Sequence, residues 1–132
     1  MNIKIDHYAI WCNDLELMKT FYINYFGMNS NKKYVNPAKK YESYFLTFSD
    51  DSTARLELMK RPDIPENKNI RGFMKGYAHI AFSVGSKDTV DHLTEKLRHD
   101  GYKVVGEPRI TGDGYYESVI EDLEGNWIEI TV

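Results

Sequence analysis

The chain carries one pattern twice, 72 positions apart. His7 lies in Ile5-Asp6-His7-Tyr8-Ala9-Ile10, and His79 lies in Tyr77-Ala78-His79-Ile80-Ala81-Phe82. Glu57 lies in Arg55-Leu56-Glu57-Leu58 and Glu129 in Trp127-Ile128-Glu129-Ile130, so each half sets a His and a Glu 50 residues apart. All four sit in short alternating runs, the period of a strand with one face buried. Such a duplication restricts the fold to two copies of one supersecondary unit.

The elements around the pattern repeat too. Residues 3–11 read as a strand with Ile5, His7, Ala9 and Trp11 on one face. A helix follows, with Asn13 as its N-cap and Glu16 as the reciprocal capping partner. Leu15, Met18, Phe21, Tyr22, Tyr25 and Phe26 form its apolar stripe, and Gly27 ends it. Residues 28–35 read as a weaker strand. In the next, Tyr44, Leu46 and Phe48 alternate with Ser43, Phe45 and Thr47. Asp50-Asp51-Ser52 reads as a turn, and 53–59 as a strand with Arg55, Glu57 and Met59 on one face. The polar stretch Lys60–Gly76, with Pro62, Pro65 and Gly72, reads as a linker.

The order then recurs. Residues 77–84 place Tyr77, His79, Ala81 and Ser83 on one face. A helix starts at Ser86 or Lys87, buries Val90, Leu93 and Leu97, and closes at Gly101. Strands follow at 102–107, 115–121 and 126–132, the last two joined by the hairpin Asp122–Asn126, in which Gly125 supplies a positive φ. The expected class is α+β, with two βαβββ modules forming an open sheet and cleft. Module 1 spans about 1–59, the linker about 60–76 and module 2 about 77–132, within a single domain of 132 residues. A helix covers one face of each sheet, and the His and Glu positions fall on the other.

Composition narrows the function. The net charge is −3 with no basic cluster, which argues against a nucleic-acid partner. The basic segment from Lys32-Lys33 to Lys39-Lys40 reads as a solvated loop. No apolar run approaches the roughly 20 residues needed to span a bilayer, and the N-terminus lacks a signal-peptide stretch. A cytoplasmic protein without membrane contact is expected. The one cysteine, Cys12, cannot form an internal disulfide and reads as a small buried thiol.

A carboxylate set between apolar neighbours is costly unless paired or bound to a metal. Two of them at equivalent repeat positions, each matched to a His, point to one divalent ion held by His7, Glu57, His79 and Glu129. Two nitrogens and two carboxylates suit Zn, Ni, Co, Mn or Fe(II) without choosing among them. On a six-coordinate ion they leave two positions for water or two adjacent substrate oxygens. His92 and His99 have no counterpart in the first half and read as surface residues.

The order His, Glu, His, Glu over paired βαβββ modules resembles the vicinal oxygen chelate superfamily, and within it glyoxalase I. The most specific pieces are Gly76-Tyr77-Ala78-His79-Ile80-Ala81-Phe82-Ser83-Val84 and Glu121-Asp122-Leu123-Glu124-Gly125-Asn126-Trp127-Ile128-Glu129. The family's usual hairpin has Pro where Leu123 stands. Leu56-Glu57-Leu58-Met59-Lys60-Arg61-Pro62, followed by the polar linker, is similar to the YaeR-type branch of glyoxalase I-like proteins. The resemblance implies the same four ligands, a small-molecule substrate and a homodimer. It implies a metal-dependent lyase or isomerase working through an enediolate, as glyoxalase I does on the hemithioacetal of methylglyoxal and a thiol. Glu129 is then the base, with Glu57 the symmetric candidate.

One departure bears on the substrate. Bacterial glyoxalase I carries an Arg four residues after the first His, where it helps to hold glutathione. Here Trp11 stands there, as an apolar or aromatic wall, and Arg55 and Arg61 are the nearby cations for an acidic substrate. Tyr115 and Tyr116, after the loop Thr111-Gly112-Asp113-Gly114, read as core and turn residues. Two other readings compete. Fosfomycin resistance-type thiol transferases and ring-cleaving dioxygenases resemble three-ligand sites, which the extra Glu57 opposes. A metal-free, drug-sequestering protein of the bleomycin resistance type fits the aromatic content of 14% but has no need of four aligned ligands.

Overall fold

The computed structural model describes residues 1–48 and 54–132. The turn expected at Asp50-Asp51-Ser52 lies outside the described residues. The chain divides into two compact units, Met1–Glu66 and Asn67–Val132.

The first unit holds β1 (His7–Trp11), α1 (Leu15–Phe26), β2 (Asn29–Ser30), β3 (Tyr34–Asn36), β4 (Tyr41–Thr47) and β5 (Arg55–Lys60). Its sheet runs β1-β5-β4-β2, with β3 also paired to β4. β1 and β5 are parallel, and the other pairings are antiparallel. The second unit holds β6 (His79–Ser83), α2 (Lys87–His99), β7 (Val104–Ile110), β8 (Tyr116–Glu121) and β9 (Trp127–Thr131), in the order β6-β9-β8-β7. Again the first strand runs parallel to the last.

Strand parity sorts the residues as the alternation predicts. In the first unit Leu56, Leu58, Tyr44 and Leu46 are buried with Leu15, Met18, Phe21 and Tyr22 of α1. In the second, Ile120, Ile128 and Ile130 are buried with Val90 and Leu97 of α2. Thr94 adds a polar tie to this core. Its hydroxyl lies 2.6 Å from the Val90 carbonyl and 2.7 Å from the Ser118 hydroxyl. The His and Glu positions take the alternate parity, on the face turned from each helix.

Three expectations are corrected. The first strand begins at His7, not residue 3, and Ile3 and Ile5 are exposed. Its pairing with β5 starts at Arg55, and a strand extends only as far as its partner does. The N-cap of α1 is Asp14, not Asn13. The Asp14 carboxylate accepts the Leu17 N–H at 2.9 Å, while Glu16 turns to Lys33 and the Tyr44 hydroxyl. The weak strand at 28–35 is two short strands. Between them the Asn31 side chain accepts the Phe45 N–H at 2.8 Å and so replaces a backbone partner in the ladder.

The tight connections follow their side chains. Gly27 ends α1 at φ 66°, and Gly125 sits at φ 87° in the final hairpin. There the Asp122 carboxylate accepts the N–H groups of Glu124 and Asn126 at 2.8 and 3.0 Å and so braces the turn. Among the described residues no helix is long and apolar enough to cross a membrane.

Candidate metal centre

Register brings each His beside its Glu. In the first unit Ala9 pairs with Glu57, and in the second Ala81 pairs with Glu129. Each His stands two residues before its Ala, on the same face, so the side chains meet across adjacent parallel strands. His7 Nε2 lies 3.6 Å from Glu57 Oε1, and His79 Nε2 lies 2.6 Å from Glu129 Oε1. The imidazoles are 38% and 39% exposed and the carboxylates 14% and 19%, shielded yet within reach of solvent.

The surroundings differ. In the first unit Asp6 Oδ2 lies 2.7 Å from His7 Nδ1 and 2.7 Å from the Arg55 guanidinium. Those two partners hold the Asp6 carboxyl below its usual range, the His7 hydrogen bond contributing most. With Nδ1 engaged, His7 presents Nε2 to the Glu57 side. Arg55 also lies over the Phe45 ring at 4.2 Å, and Phe45 meets the His7 ring edge-on at 5.4 Å. The Tyr41 hydroxyl donates to Glu57 Oε2 at 3.2 Å, and burial pushes that hydroxyl's pKa up. Trp11 meets Tyr41 edge-on at 6.2 Å, and Tyr41 meets Tyr34 at 6.0 Å.

In the second unit the neighbour of Glu129 is another acid. Glu117 faces Thr131 and Val119 faces Glu129, so Glu117 and Glu129 share one face of the β8–β9 ladder. Glu117 is buried. Its hydrogen bond with Glu129, its burial and the Glu129 charge raise its pKa to about 7, against an opposing pull from Arg109. Trp127 stands in register with His79, where the first unit has Arg55 beside His7. The Trp127 ring lies against the backbone of Gly72, where a Cβ would fall 1.9 Å from its Cδ2.

Sequence reasoning missed Tyr41 and Glu117. Tyr41 is one of ten tyrosines in the chain and carries no mark of its own. Glu117 carried only a partial signal: it alternates with Ser118 and Ile120, and its place beside Glu129 follows from the β8–β9 register. Arg61 is held by Asp63 at 2.5 and 2.7 Å, and His92 and His99 are exposed on α2. The Thr111–Gly114 segment is a closed turn, with the Thr111 N–H donating to the Tyr115 carbonyl at 2.7 Å.

The donors suit a divalent ion of borderline softness. Each pair offers an imidazole Nε2 and a carboxylate oxygen on one face, and the crowding of Glu117 on Glu129 is a negative charge that a cation relieves. Among the described residues no three or more His, Cys, Asp and Glu side chains are gathered as a ready ligand set.

Comparison with known proteins bears on the family and the fold. The family model of the Glyoxalase/Bleomycin resistance protein/Dioxygenase superfamily matches residues 4–130. The chain is 37% identical over 94 residues to the uncharacterised protein YwkD of Bacillus subtilis (strain 168), covering 70% of this chain and 71% of YwkD. A glyoxalase family protein from Bacillus cereus shares the fold with a TM-score of 0.80 at 19% identity, over 99% of this chain and 94% of that one. The trypanothione-dependent glyoxalase I of Leishmania major matches with a TM-score of 0.78 at 25% identity, over 98% and 86%. The two-module α+β arrangement is thus the glyoxalase-type fold.

Proposed function

Because the chain belongs to the Glyoxalase/Bleomycin resistance protein/Dioxygenase superfamily, we propose that it is a divalent-metal-dependent lyase or isomerase of the glyoxalase I type. The observation that carries this reading is the matched placement of His7 with Glu57 and His79 with Glu129 at one register in both units. These four residues are the proposed ligands of one Zn, Ni, Co, Mn or Fe ion. When bound, the ion polarises substrate oxygens and stabilises the negative charge that develops on them.

The chain's own residues supply the rest. Glu129 is the proposed base. It takes a proton from the carbon beside a carbonyl to give the enediolate, trades that proton in part with solvent, and delivers a proton to the neighbouring carbon, with no net oxidation. The reading is supported by the adjacent Glu117, whose carboxyl is pushed up to about 7 by its hydrogen bond with Glu129 and by burial. Glu57, tied through Oε2 to the Tyr41 hydroxyl, is the more fixed carboxylate. Trp11 and Arg55 share the His7–Glu57 face and are the proposed substrate-facing residues of the first unit. The proposed substrate is a small oxygenated molecule such as a methylglyoxal–thiol hemithioacetal, and the proposed assembly a homodimer in the cytoplasm.

Elemental analysis after stripping and reloading with Ni, Co, Zn or Mn tests the reading first. We expect about one ion per chain, lost in His79→Ala and Glu129→Ala. Loaded protein is then expected to exchange the substrate C–H with solvent deuterium in a panel of hemithioacetals from several thiols. No retained ion under any loading would overturn the proposal.

A further inference from the structure

We infer that the part of the substrate lying beyond its two adjacent oxygens is a planar apolar group, an aryl ring, received by Trp11, Tyr41 and Tyr34. The inference rests on the metal-site reading above and names the substrate class that this site takes.

Four observations carry it. First, the three rings stand on the ligand face. Trp11 pairs with Met59, two residues beyond the Ala9–Glu57 pair, and Tyr34 pairs with Ser43, two residues from Tyr41 on β4. Second, the rings form a continuous edge-to-face row, with centroids 6.2 and 6.0 Å apart and interplanar angles of 88° and 62°. Third, the row stays open, with Trp11 39% and Tyr34 54% exposed. Apolar area left in water is unfavourable by roughly 25 cal/mol per Å², and an aromatic face adds stacking specificity. Fourth, the row is joined to the ligand pair, because Tyr41 both contacts the two other rings and donates to Glu57 Oε2. A group bound on these rings therefore lies beside the carboxylate.

The charges around the row fit an uncharged tail. Arg55 is met by Asp6 at 2.7 Å and stacked on Phe45, and Arg61 is met by Asp63. Lys60 has the opposite strand parity, facing Glu42 in the ladder. Of the cations on β5 and just after it, Arg55 and Arg61 are thus satisfied and Lys60 is turned away, which leaves the exposed rings of Trp11 and Tyr34 on the ligand face.

Mandelate and lactate separate the possibilities, since both offer a carboxylate and an adjacent hydroxyl and differ as phenyl and methyl. Each acid is titrated by calorimetry into the nickel-loaded and the metal-free protein. The expected result is at least about tenfold tighter binding of mandelate. That ratio should fall several-fold toward one in Trp11→Ala and Tyr34→Ala, persist in Trp11→Phe, and leave nickel stoichiometry intact. Equal binding of the two acids by the wild type, or a ratio unmoved in both alanine variants, overturns the inference. Equal binding together with self-association that Trp11→Ala abolishes assigns the rings to a second copy of the chain instead. The two readings fail separately. One retained ion with no phenyl preference sinks the aryl subsite alone. A Trp11-dependent phenyl preference in protein that retains no ion sinks the metal centre alone.

Discussion

The two half-sites share a backbone plan and differ in almost every residue around it. Shifting the first unit by 72 positions lays the β1–β5 register on β6–β9. Under that shift Asp6 becomes Ala78, and Arg55 becomes Trp127. On the inner antiparallel strand Ser43, which faces Met59, is replaced by Glu117, which faces Thr131. The spacing there differs as well, with twelve positions from Phe45 to Glu57 and ten from Val119 to Glu129. Duplication preserved what the strand ladder requires and one His–Glu pair per unit. The neighbours diverged, so the two carboxylates are not chemically equivalent. Glu57 lies against a neutral phenol donor, whereas Glu129 lies against a second acid.

The strongest way to break this comparison is to neutralise each carboxylate in turn. Glu129→Gln is expected to slow substrate C–H exchange by about 10³-fold, a typical loss for a general base. Glu57→Gln is expected to weaken metal retention more than it slows exchange in the loaded fraction. Equal effects of the two substitutions on the exchange rate, read by deuterium incorporation, would erase the distinction.

Glu117 offers a test through pH. Its folded-state pKa of about 7 lies above the ordinary 4.5, so the folded protein holds this proton more tightly than the unfolded chain does. The resulting penalty is absent below about pH 4.5, grows as pH rises and is complete above about 7. Metal-free Glu117→Gln is therefore expected to be more stable than the wild type at pH 8 by about 2 kcal/mol. That advantage should fade toward pH 4.5 in denaturant titrations. A pH-independent difference would contradict the shared proton.

Gly72→Ala tests the opposite corner of the second unit. The added methyl meets the Trp127 ring, and a loss of about 1–3 kcal/mol is expected by thermal unfolding. Asp6→Asn probes the partner of His7 Nδ1 that Ala78 does not supply to His79. A fall of about tenfold in metal affinity is expected. Tyr41→Phe removes one hydrogen bond from a neutral donor to the Glu57 carboxylate, and about a fivefold weakening is expected by competition with a chromophoric chelator.

Much of this was legible because strand parity is local. His7, Ala9 and Trp11 share a face, as do Arg55, Glu57 and Met59, whatever the partner strand is. Helix stripes and the stops at Gly27 and Gly125 read equally well. The misses had long-range causes. The strand at 28–35 breaks because an Asn31 side chain reaches Phe45, 14 residues on. Thr94 carries no local mark in α2, and its polar partner in the core, Ser118, lies 24 residues away. The cap moved from Asn13 to Asp14 because neighbouring residues of like chemistry compete for one backbone position, and the path of the entering chain chooses.

By itself the sequence determined the duplication, the two-module α+β class and which residues share a face with each His and Glu, because periodicity within a strand or helix follows from backbone geometry alone. Only the tertiary structure decided what stands beside those residues: a phenol on Glu57, an acid on Glu129 and a spent cation at Arg55. These neighbours come from different strands, and their meeting depends on register, turn length and packing, which no local pattern encodes.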